Sequence, residues 1–183
     1  MMKYLRRFLW FVTVRLFGAC VIGAILVVAF YTAMNITNIT VLAKDGMLAR
    51  AQVILGVEDD PNMLAKFFTL ECLTRDARVG VALAGESPYA DYDIRGMDHR
   101  LNFEWMWTWP WDNTASATAV ERMPMIDGRV KSARREAVVE TRGESAVTPP
   151  PWNPVRYRIT FSRENGRWII SAVNAAEDQP SPE

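Results

Sequence analysis

The longest apolar stretch of the chain lies near its amino terminus. No charged residue occurs between Leu16 and Ala43, and segment 16–34 is almost entirely apolar. Because a membrane-spanning helix needs about 20 such residues, we predict a transmembrane helix over residues 16–34. A signal peptide has a shorter apolar core of about 7 to 15 residues that ends in small residues. Here the apolar run continues through Phe30 and Tyr31, which favours an uncleaved anchor.

Basic residues precede this span without any acidic residue among them: Lys3, Arg6, Arg7 and Arg15. On the other side, Lys44 and Arg50 are offset by Asp45 and by the acidic residues around position 59. Since cytoplasmic flanks collect Lys and Arg, we expect residues 1–15 to be cytoplasmic. The sequence therefore predicts a single-pass protein of the cell (inner) membrane with an extracytoplasmic carboxyl-terminal domain.

After the span, the apolar pattern is helical. Apolar residues recur at spacings of three and four, namely Ile39, Leu42, Met47, Ala51, Ile54 and Leu55. We predict a juxtamembrane amphipathic helix over residues 35–57, ended by Gly56. The sequence Asp59-Asp60-Pro61 is typical of a helix start, and a second helix is expected from Pro61 to about Thr74.

Farther along the chain, apolar and polar residues alternate with a period of two, which indicates strands. The predicted strands are a short one near 92–94 and longer ones at His99–Trp111, Thr114–Ile126, Gly128–Thr141, Val155–Arg163 and Arg167–Asn174. Asp127-Gly128 and Asn165-Gly166 both supply residues that suit two-residue hairpins. Helices followed by antiparallel strands indicate an α+β domain over residues 58–175, with helices packed on a curved sheet. Residues 176–183 are expected to form a flexible tail.

The element order, together with the final hairpin Tyr157–Phe161, Asn165-Gly166 and Trp168–Val173, resembles the nuclear-transport-factor-two-like superfamily. This superfamily also includes ketosteroid isomerases and scytalone dehydratase. The resemblance implies a cone-shaped domain over residues 40–175. A single amino-terminal span followed by such a cone is also similar to the inner-membrane assembly factors of type IV secretion and conjugation machines. That second resemblance implies protein contacts rather than catalysis, although fold alone does not fix function.

Composition excludes some classes of function. With 21 basic and 21 acidic residues the formal charge is zero, so nucleic-acid binding driven by bulk charge is excluded. The predicted extracytoplasmic part has a net charge of about −4, because four of the 21 basic residues and none of the 21 acidic ones precede the span. Cys20 lies within the span and Cys72 outside it, so no disulfide is expected. Asn35-Ile36-Thr37 and Asn38-Ile39-Thr40 match the glycosylation pattern and are interpreted as chance matches so close to the membrane.

The most unusual stretch is Phe103–Trp111, in which aromatic residues occupy alternate positions: Phe103, Trp105, Trp107, Trp109 and Trp111. In a regular strand these five side chains share one face. Three interpretations stay open: core of the curved sheet, an interface for a protein partner, or the wall of a small-ligand pocket. Pro110 cannot donate to a strand ladder, so this end of the strand is expected at an edge or a bulge.

Candidates for catalysis are few. Asp98-His99 contains the only histidine, and the cone-fold resemblance implies that an acid or a histidine could project into a cavity. A lone His beside an Asp is more often a surface hydrogen-bonding group, and no second His or Cys completes a usual metal site. We therefore predict no metal, no cofactor and no catalytic site, with Asp98 and His99 as the alternative.

A basic run contains Arg129, Lys131, Arg134 and Arg135. If it is a strand, Arg129, Lys131 and Arg135 form one basic face. A solvated, edge-protecting face is the default interpretation. Attraction to anionic cell-wall polymer or to lipid head groups is the alternative.

These observations lead to one functional hypothesis and one rival. The hypothesis is a non-catalytic scaffold that contacts other envelope proteins in a secretion, conjugation or sporulation assembly, and Gly18 and Gly23 in the span are compatible with a homo-oligomer. The rival is a membrane-tethered ligand-binding domain or enzyme with an aromatic-lined pocket. An open cavity with Asp98 or His99 in its wall favours the rival, whereas a packed interior favours the scaffold.

Overall fold

The fold is known from a computed structural model that describes residues 2–58 and 60–176. The elements are α1 (Met2–Leu55), a 3₁₀ turn (Pro61–Lys66), α2 (Leu70–Arg75), α3 (Ala77–Leu83), β1 (Tyr92–Trp107), β2 (Thr114–Val130), a 3₁₀ turn (Ser132–Arg134), α4 (Arg135–Arg142), a 3₁₀ turn (Glu144–Val147), β3 (Trp152–Glu164) and β4 (Arg167–Ala175). Within the described residues, the strands form one antiparallel sheet in the order β1-β2-β3-β4. The predicted α+β class, with a long apolar amino-terminal helix, is confirmed. The predicted tail, except Ala176, lies outside the described residues, as does Asp59.

Helix α1 is continuous over 54 residues, a length of about 81 Å. Its two parts have different surroundings. The large apolar side chains of residues 8–34 are mostly exposed, whereas apolar residues on one face of segment 39–55 are buried, among them Ile39, Met47 and Leu55. The helix therefore runs without a break from the apolar segment into the core of the domain.

Helix α1 ends at Gly56, which has a φ of +68° and donates its N–H to the Val53 carbonyl. The chain then begins a 3₁₀ turn at Pro61, where the Asp60 side chain accepts from the Asn62 N–H as an N-cap. The expected helix over Pro61–Thr74 is therefore only partly formed.

The interruption of that helix has a tertiary cause. Phe68 pairs with Ile170 of β4 as an isolated bridge, and Thr69 N–H donates to the Ile170 carbonyl at 2.9 Å. Residue 68 cannot remain helical while it pairs with the sheet edge. The helix restarts at α2, for which the Thr69 side chain is the N-cap. Asp76 caps α3 in the same way, and the sequence pattern did not predict α3.

The strand predicted at Gly128–Thr141 is wrong. Strand β2 continues through Asp127-Gly128 to Val130, and α4 follows after a short 3₁₀ turn. The α4 segment consists largely of good helix formers, and its buried Val138 packs with Tyr92 and Val130. Arg129, Lys131 and Arg135, which were expected to share one face of a single strand, therefore lie in different elements.

The two predicted hairpins have opposite outcomes. At Asn165-Gly166 both residues have positive φ, +50° and +81°, and they join β3 to β4, so this hairpin is confirmed. Gly128 instead lies within β2 opposite Ile94 of β1. A Cβ at residue 128 would lie 2.8 Å from the Asp93 carbonyl oxygen, so glycine serves close backbone approach there rather than a turn.

The core lies between the inner part of α1 and one face of the sheet. Strand β2 presents small side chains to the helix at Ala115, Ala117 and Ala119, and β3 presents Ile159 and Phe161. The fully buried Ile159 and Phe161 fill the space between helix and sheet. Among the described residues, this face of the sheet is covered by buried apolar side chains.

Candidate functional site

Four exposed tryptophans follow one another at one end of the sheet. Trp105, Trp107, Trp109 and Trp111 are 61, 47, 43 and 65% exposed, and we call them the aromatic edge. The rings of Trp107 and Trp109 meet edge to face at 5.3 Å, and those of Trp109 and Trp111 stack at 5.4 Å. So much exposed aromatic surface in one place is typical of an interaction site.

A bulge explains why these rings are not in the core. Phe103 pairs with Ala119, whereas Trp105 pairs with Thr118, so one extra residue is inserted between them in β1. The insertion changes which face alternate residues occupy. Phe103 packs against the core, and Trp105 points away from it. The expectation that five aromatic residues share one face is therefore wrong, and β1 ends at Trp107, before Pro110.

Asn35 of α1 holds the loop that carries Trp109. Its Nδ2 donates to the carbonyls of Trp109 and Pro110 at 3.5 and 3.4 Å, and its Oδ1 accepts from Arg163 Nη2 at 2.9 Å. Trp109 N–H also donates to the Asp112 carboxylate at 2.8 Å. The buried Asn35 thus ties the end of the apolar segment to both the aromatic edge and β3.

An apolar groove of about 590 Å³ separates α1 from Trp107 and Trp109. Its other wall is one face of α1, formed by Ala24, Ile25, Val28, Ala29, Thr32, Ala33 and Ile36. The hydroxyl of Thr32 donates to the Val28 carbonyl at 2.9 Å, so the α1 wall offers no free side-chain donor. We call this space the Trp107 groove.

A second notable feature is a buried polar cluster on the inner face of the sheet. Glu121 is fully buried, its Oε1 lies 3.0 Å from His99 Nε2, and Trp152 Nε1 donates to its Oε2 at 3.2 Å. The His99 side chain is only 5% exposed. The sequence interpretation did not identify Glu121. The sequence did contain a signal for it, because alternate residues of a strand share a face and Glu121 follows Ala115, Ala117 and Ala119 in that alternation.

A buried ion pair lies near this cluster. Arg50 of α1 donates from Nε and Nη2 to the Asp76 carboxylate, and its guanidinium lies over the Tyr157 ring. Burial opposes the charge on Arg50, but the hydrogen bonds and charge of Asp76 outweigh burial and raise the pKa of the guanidinium above its usual value. Arg78 donates to the Tyr157 hydroxyl at 3.0 Å. These contacts join α1, α3 and β3 and are typical of a structural network.

Asp98 and His99 do not form a pair. His99 turns inward to Glu121, while Asp98 turns outward and accepts from Arg100, which lowers the pKa of the Asp98 carboxyl. His99 does lie in the wall of an open cleft of about 330 Å³, together with Lys44, Asp45, Leu48, Arg100, Leu101 and Asn102. The cleft meets one condition for the rival hypothesis, but its histidine is already bonded on its inner side.

The three residues of the expected basic face are exposed but divided between elements. Arg129 lies in β2, Lys131 is the first residue after that strand, and Arg135 is the first residue of α4. Lys131 Nζ donates to the Ala90 carbonyl at 2.9 Å, which fixes it beside the turn before β1. Over residues 2–58 and 60–176, no group of three or more His, Cys, Asp and Glu side chains is placed to hold a metal ion.

In the described part of the chain, one helix is long and apolar enough to cross a membrane, namely α1 over Arg6–Leu55. None of the 18 residues in its most apolar stretch is buried. This exposure is compatible with a single-pass membrane protein. No protein family, curated protein or solved structure matches the chain. The resemblances to cone-shaped domains and to secretion assembly factors therefore stay predictions from element order and architecture.

Proposed function

We propose that this protein is a non-catalytic, single-pass scaffold whose extracytoplasmic domain contacts other envelope proteins close to the membrane surface. The observation that carries the proposal is the continuity of α1. The helix that exposes apolar side chains over residues 8–34 is the same helix that is buried in the domain over residues 39–55. An anchor joined in this way would hold the domain at a fixed distance and orientation, with the aromatic edge directed toward the bilayer.

The arrangement of charges supports contact rather than chemistry. Arg50 and Asp76 neutralise each other, and Glu121 is engaged by His99 and Trp152. A general acid or base needs access to a substrate proton, and Glu121 has no exposed surface. Exposed aromatic rings, by contrast, are frequent anchors of protein interfaces. Confinement to the membrane plane would raise the effective concentration of weak partners.

Site-specific photocrosslinking in intact cells tests the proposal. A photoreactive phenylalanine analogue replaces Trp111, the most exposed ring of the aromatic edge, and a matched variant carries it at Leu70 in α2, which is 80% exposed. We expect discrete adducts with envelope proteins from position 111 and none from position 70. Equal labelling from both positions, or no adduct from position 111, would contradict the scaffold.

Orientation requires its own test. A reporter enzyme that is active only outside the cytoplasm is fused after Glu183, and a second copy is fused before Met1. We expect activity only from the carboxyl-terminal fusion, since Lys3, Arg6 and Arg7 precede the span. Activity only from the amino-terminal fusion would reverse the proposed topology.

A further inference from the structure

We propose that the Trp107 groove holds one acyl chain of a phospholipid from the leaflet on the domain side of the membrane. The inference rests on the proposed anchoring of residues 16–34 in a bilayer. Most of the α1 wall, from Ala24 to Ala33, then lies within the span. The medium that reaches the groove is therefore lipid hydrocarbon rather than water.

The chemistry of the lining fits an acyl chain. Apart from Thr32 the α1 wall is formed by Ala, Ile and Val, and the hydroxyl of Thr32 is bonded to the Val28 carbonyl. Burial of an alkyl chain leaves no donor of the α1 wall unsatisfied. Transfer between hydrocarbon and an apolar groove brings no hydrophobic gain. Close packing against the helix and the indole rings is what would retain the chain.

The shape of the groove favours a lipid over a second transmembrane helix. A helix is about 10 Å across and would need that width along the whole face from Ala24 to Ile36. Trp107 and Trp109 of the domain form the wall opposite α1. A helix packed along this whole face would have to share it with the two indoles. An alkyl chain is narrower and flexible, so it can follow the face of α1 beside them.

Charge near the domain end of the groove fits a phospholipid head group. Asn35, next to the groove residue Ile36, bonds to Arg163. The guanidinium of Arg163 also lies over the Trp168 ring, with its central carbon 4.6 Å from the ring centre. A cation at head-group depth complements a lipid phosphate.

The test uses full-length protein reconstituted in phosphatidylcholine vesicles that contain a phosphatidylcholine with a photoreactive diazirine in its acyl chain. After illumination, lipid adducts are mapped by mass spectrometry. We expect adducts concentrated on the groove face, at residues such as Ala29 and Ala33, and at Trp107. Val27, on the opposite face of α1 and outside the groove lining, should carry about five-fold fewer adducts.

Two variants separate groove binding from general contact with lipid. A29W fills the groove from the helix side without altering the domain, and it should reduce adducts at Trp107 about five-fold. V27W adds the same ring to the opposite face and should leave them unchanged. Adducts spread evenly around α1, or A29W and V27W with equal effects, would overturn the proposal. Disulfide formation between two copies of a C20S variant that also carries A29C would overturn it in favour of a helix partner.

Failure of this inference and failure of the proposed anchoring are distinguishable. Extraction of native membranes with alkaline carbonate reports whether the chain is integrated in the bilayer. Integrated protein with evenly distributed adducts would reject the lipid groove alone. Protein released by carbonate would reject the anchoring on which the groove depends.

Discussion

At the scale of single residues, the buried carboxylate of Glu121 lies where β2 otherwise presents alanine or methionine to the core. Both of its oxygens have a partner, His99 Nε2 at 3.0 Å and Trp152 Nε1 at 3.2 Å. Loss of the carboxylate would leave these two buried groups without a partner. Unsatisfied buried polar groups destabilise a fold by about 1–3 kcal/mol each.

We therefore expect E121A to lower the free energy of unfolding by roughly 3 kcal/mol. The melting temperature of the detergent-solubilised full chain should fall by about 6–12 °C. E121Q keeps an acceptor for Trp152 and should lose less than half as much. The control is E140A, which removes an exposed carboxylate of α4. Equal melting temperatures for E121A and E140A would contradict the structural role of the cluster.

The thiol of Cys72 gives a second residue-scale prediction. Burial and, to a smaller extent, the charge of Asp76 raise its pKa from 9.0 to about 11. The folded protein then holds about 100-fold less thiolate than the unfolded chain at neutral pH. In a C20S variant, alkylation by N-ethylmaleimide should be at least about 100-fold slower in the folded protein than in urea.

The same shift determines a pH dependence. Between pH 9 and about 11 the unfolded chain releases the Cys72 proton before the folded protein does. The contribution of this thiol to stability is therefore present below pH 9 and is lost as the pH rises toward 11. In C72A, which has no thiol at this position, the part of the alkaline stability loss linked to this group should disappear. Rapid alkylation of folded C20S at neutral pH would contradict both expectations.

At the scale of elements, the aromatic edge depends on a contact between a helix and a loop. Asn35 bonds to the carbonyls of Trp109 and Pro110 and to Arg163. N35A removes all three hydrogen bonds, and we expect faster amide hydrogen exchange over residues 107–113. N38A alters an exposed asparagine one turn later and is the matched control. Unchanged exchange in N35A would mean that the loop is held by its own ring stacking.

Glycines in two elements should respond in opposite directions to the same substitution. Gly166 has a φ of +81° in the β3–β4 hairpin, so G166A should destabilise the protein by about 1 kcal/mol. Gly80 lies within α3 with no atom near the position of a Cβ, so G80A should stabilise it by about 0.5–1 kcal/mol. Thermal unfolding of both variants measures the difference. Shifts of the same sign would contradict the assigned backbone conformations.

Elements whose signal is local could be predicted from the sequence, and those that depend on tertiary pairing could not. The Asn165-Gly166 turn follows from residues that accept positive φ. The bulge between Phe103 and Trp105 leaves no local signature, and it is what directs the tryptophans outward. The Phe68–Ile170 bridge likewise breaks a helix that its own residues favour. For the same reason, the aromatic stretch was recognisable from the sequence, but the groove beside α1 was not.

At the scale of the whole molecule, the continuity of α1 determines where the aromatic edge lies relative to the membrane. Trp107 and Trp109 share the groove with α1 residues as far along as Ile36 and as deep as Ala24. If the span is residues 16–34, segment 29–34 covers about the last 8 Å of membrane depth on the domain side. Indole rings prefer this interfacial depth. The domain should therefore lie against the bilayer rather than stand away from it.

Quenching of tryptophan fluorescence by brominated lipids measures that depth. Trp10, Trp152 and Trp168 are replaced by phenylalanine, so that only the aromatic edge reports from full-length protein in vesicles. Lipids brominated near the head group should quench more strongly than lipids brominated at the end of the acyl chain, because the rings lie in the outer part of the leaflet. A flexible Gly-Ser insertion between Met34 and Asn35 breaks the continuous helix. It should reduce the quenching by both kinds of brominated lipid. Weak quenching that this insertion does not change would mean that the domain stands clear of the bilayer, and that α1 tethers the aromatic edge without positioning it.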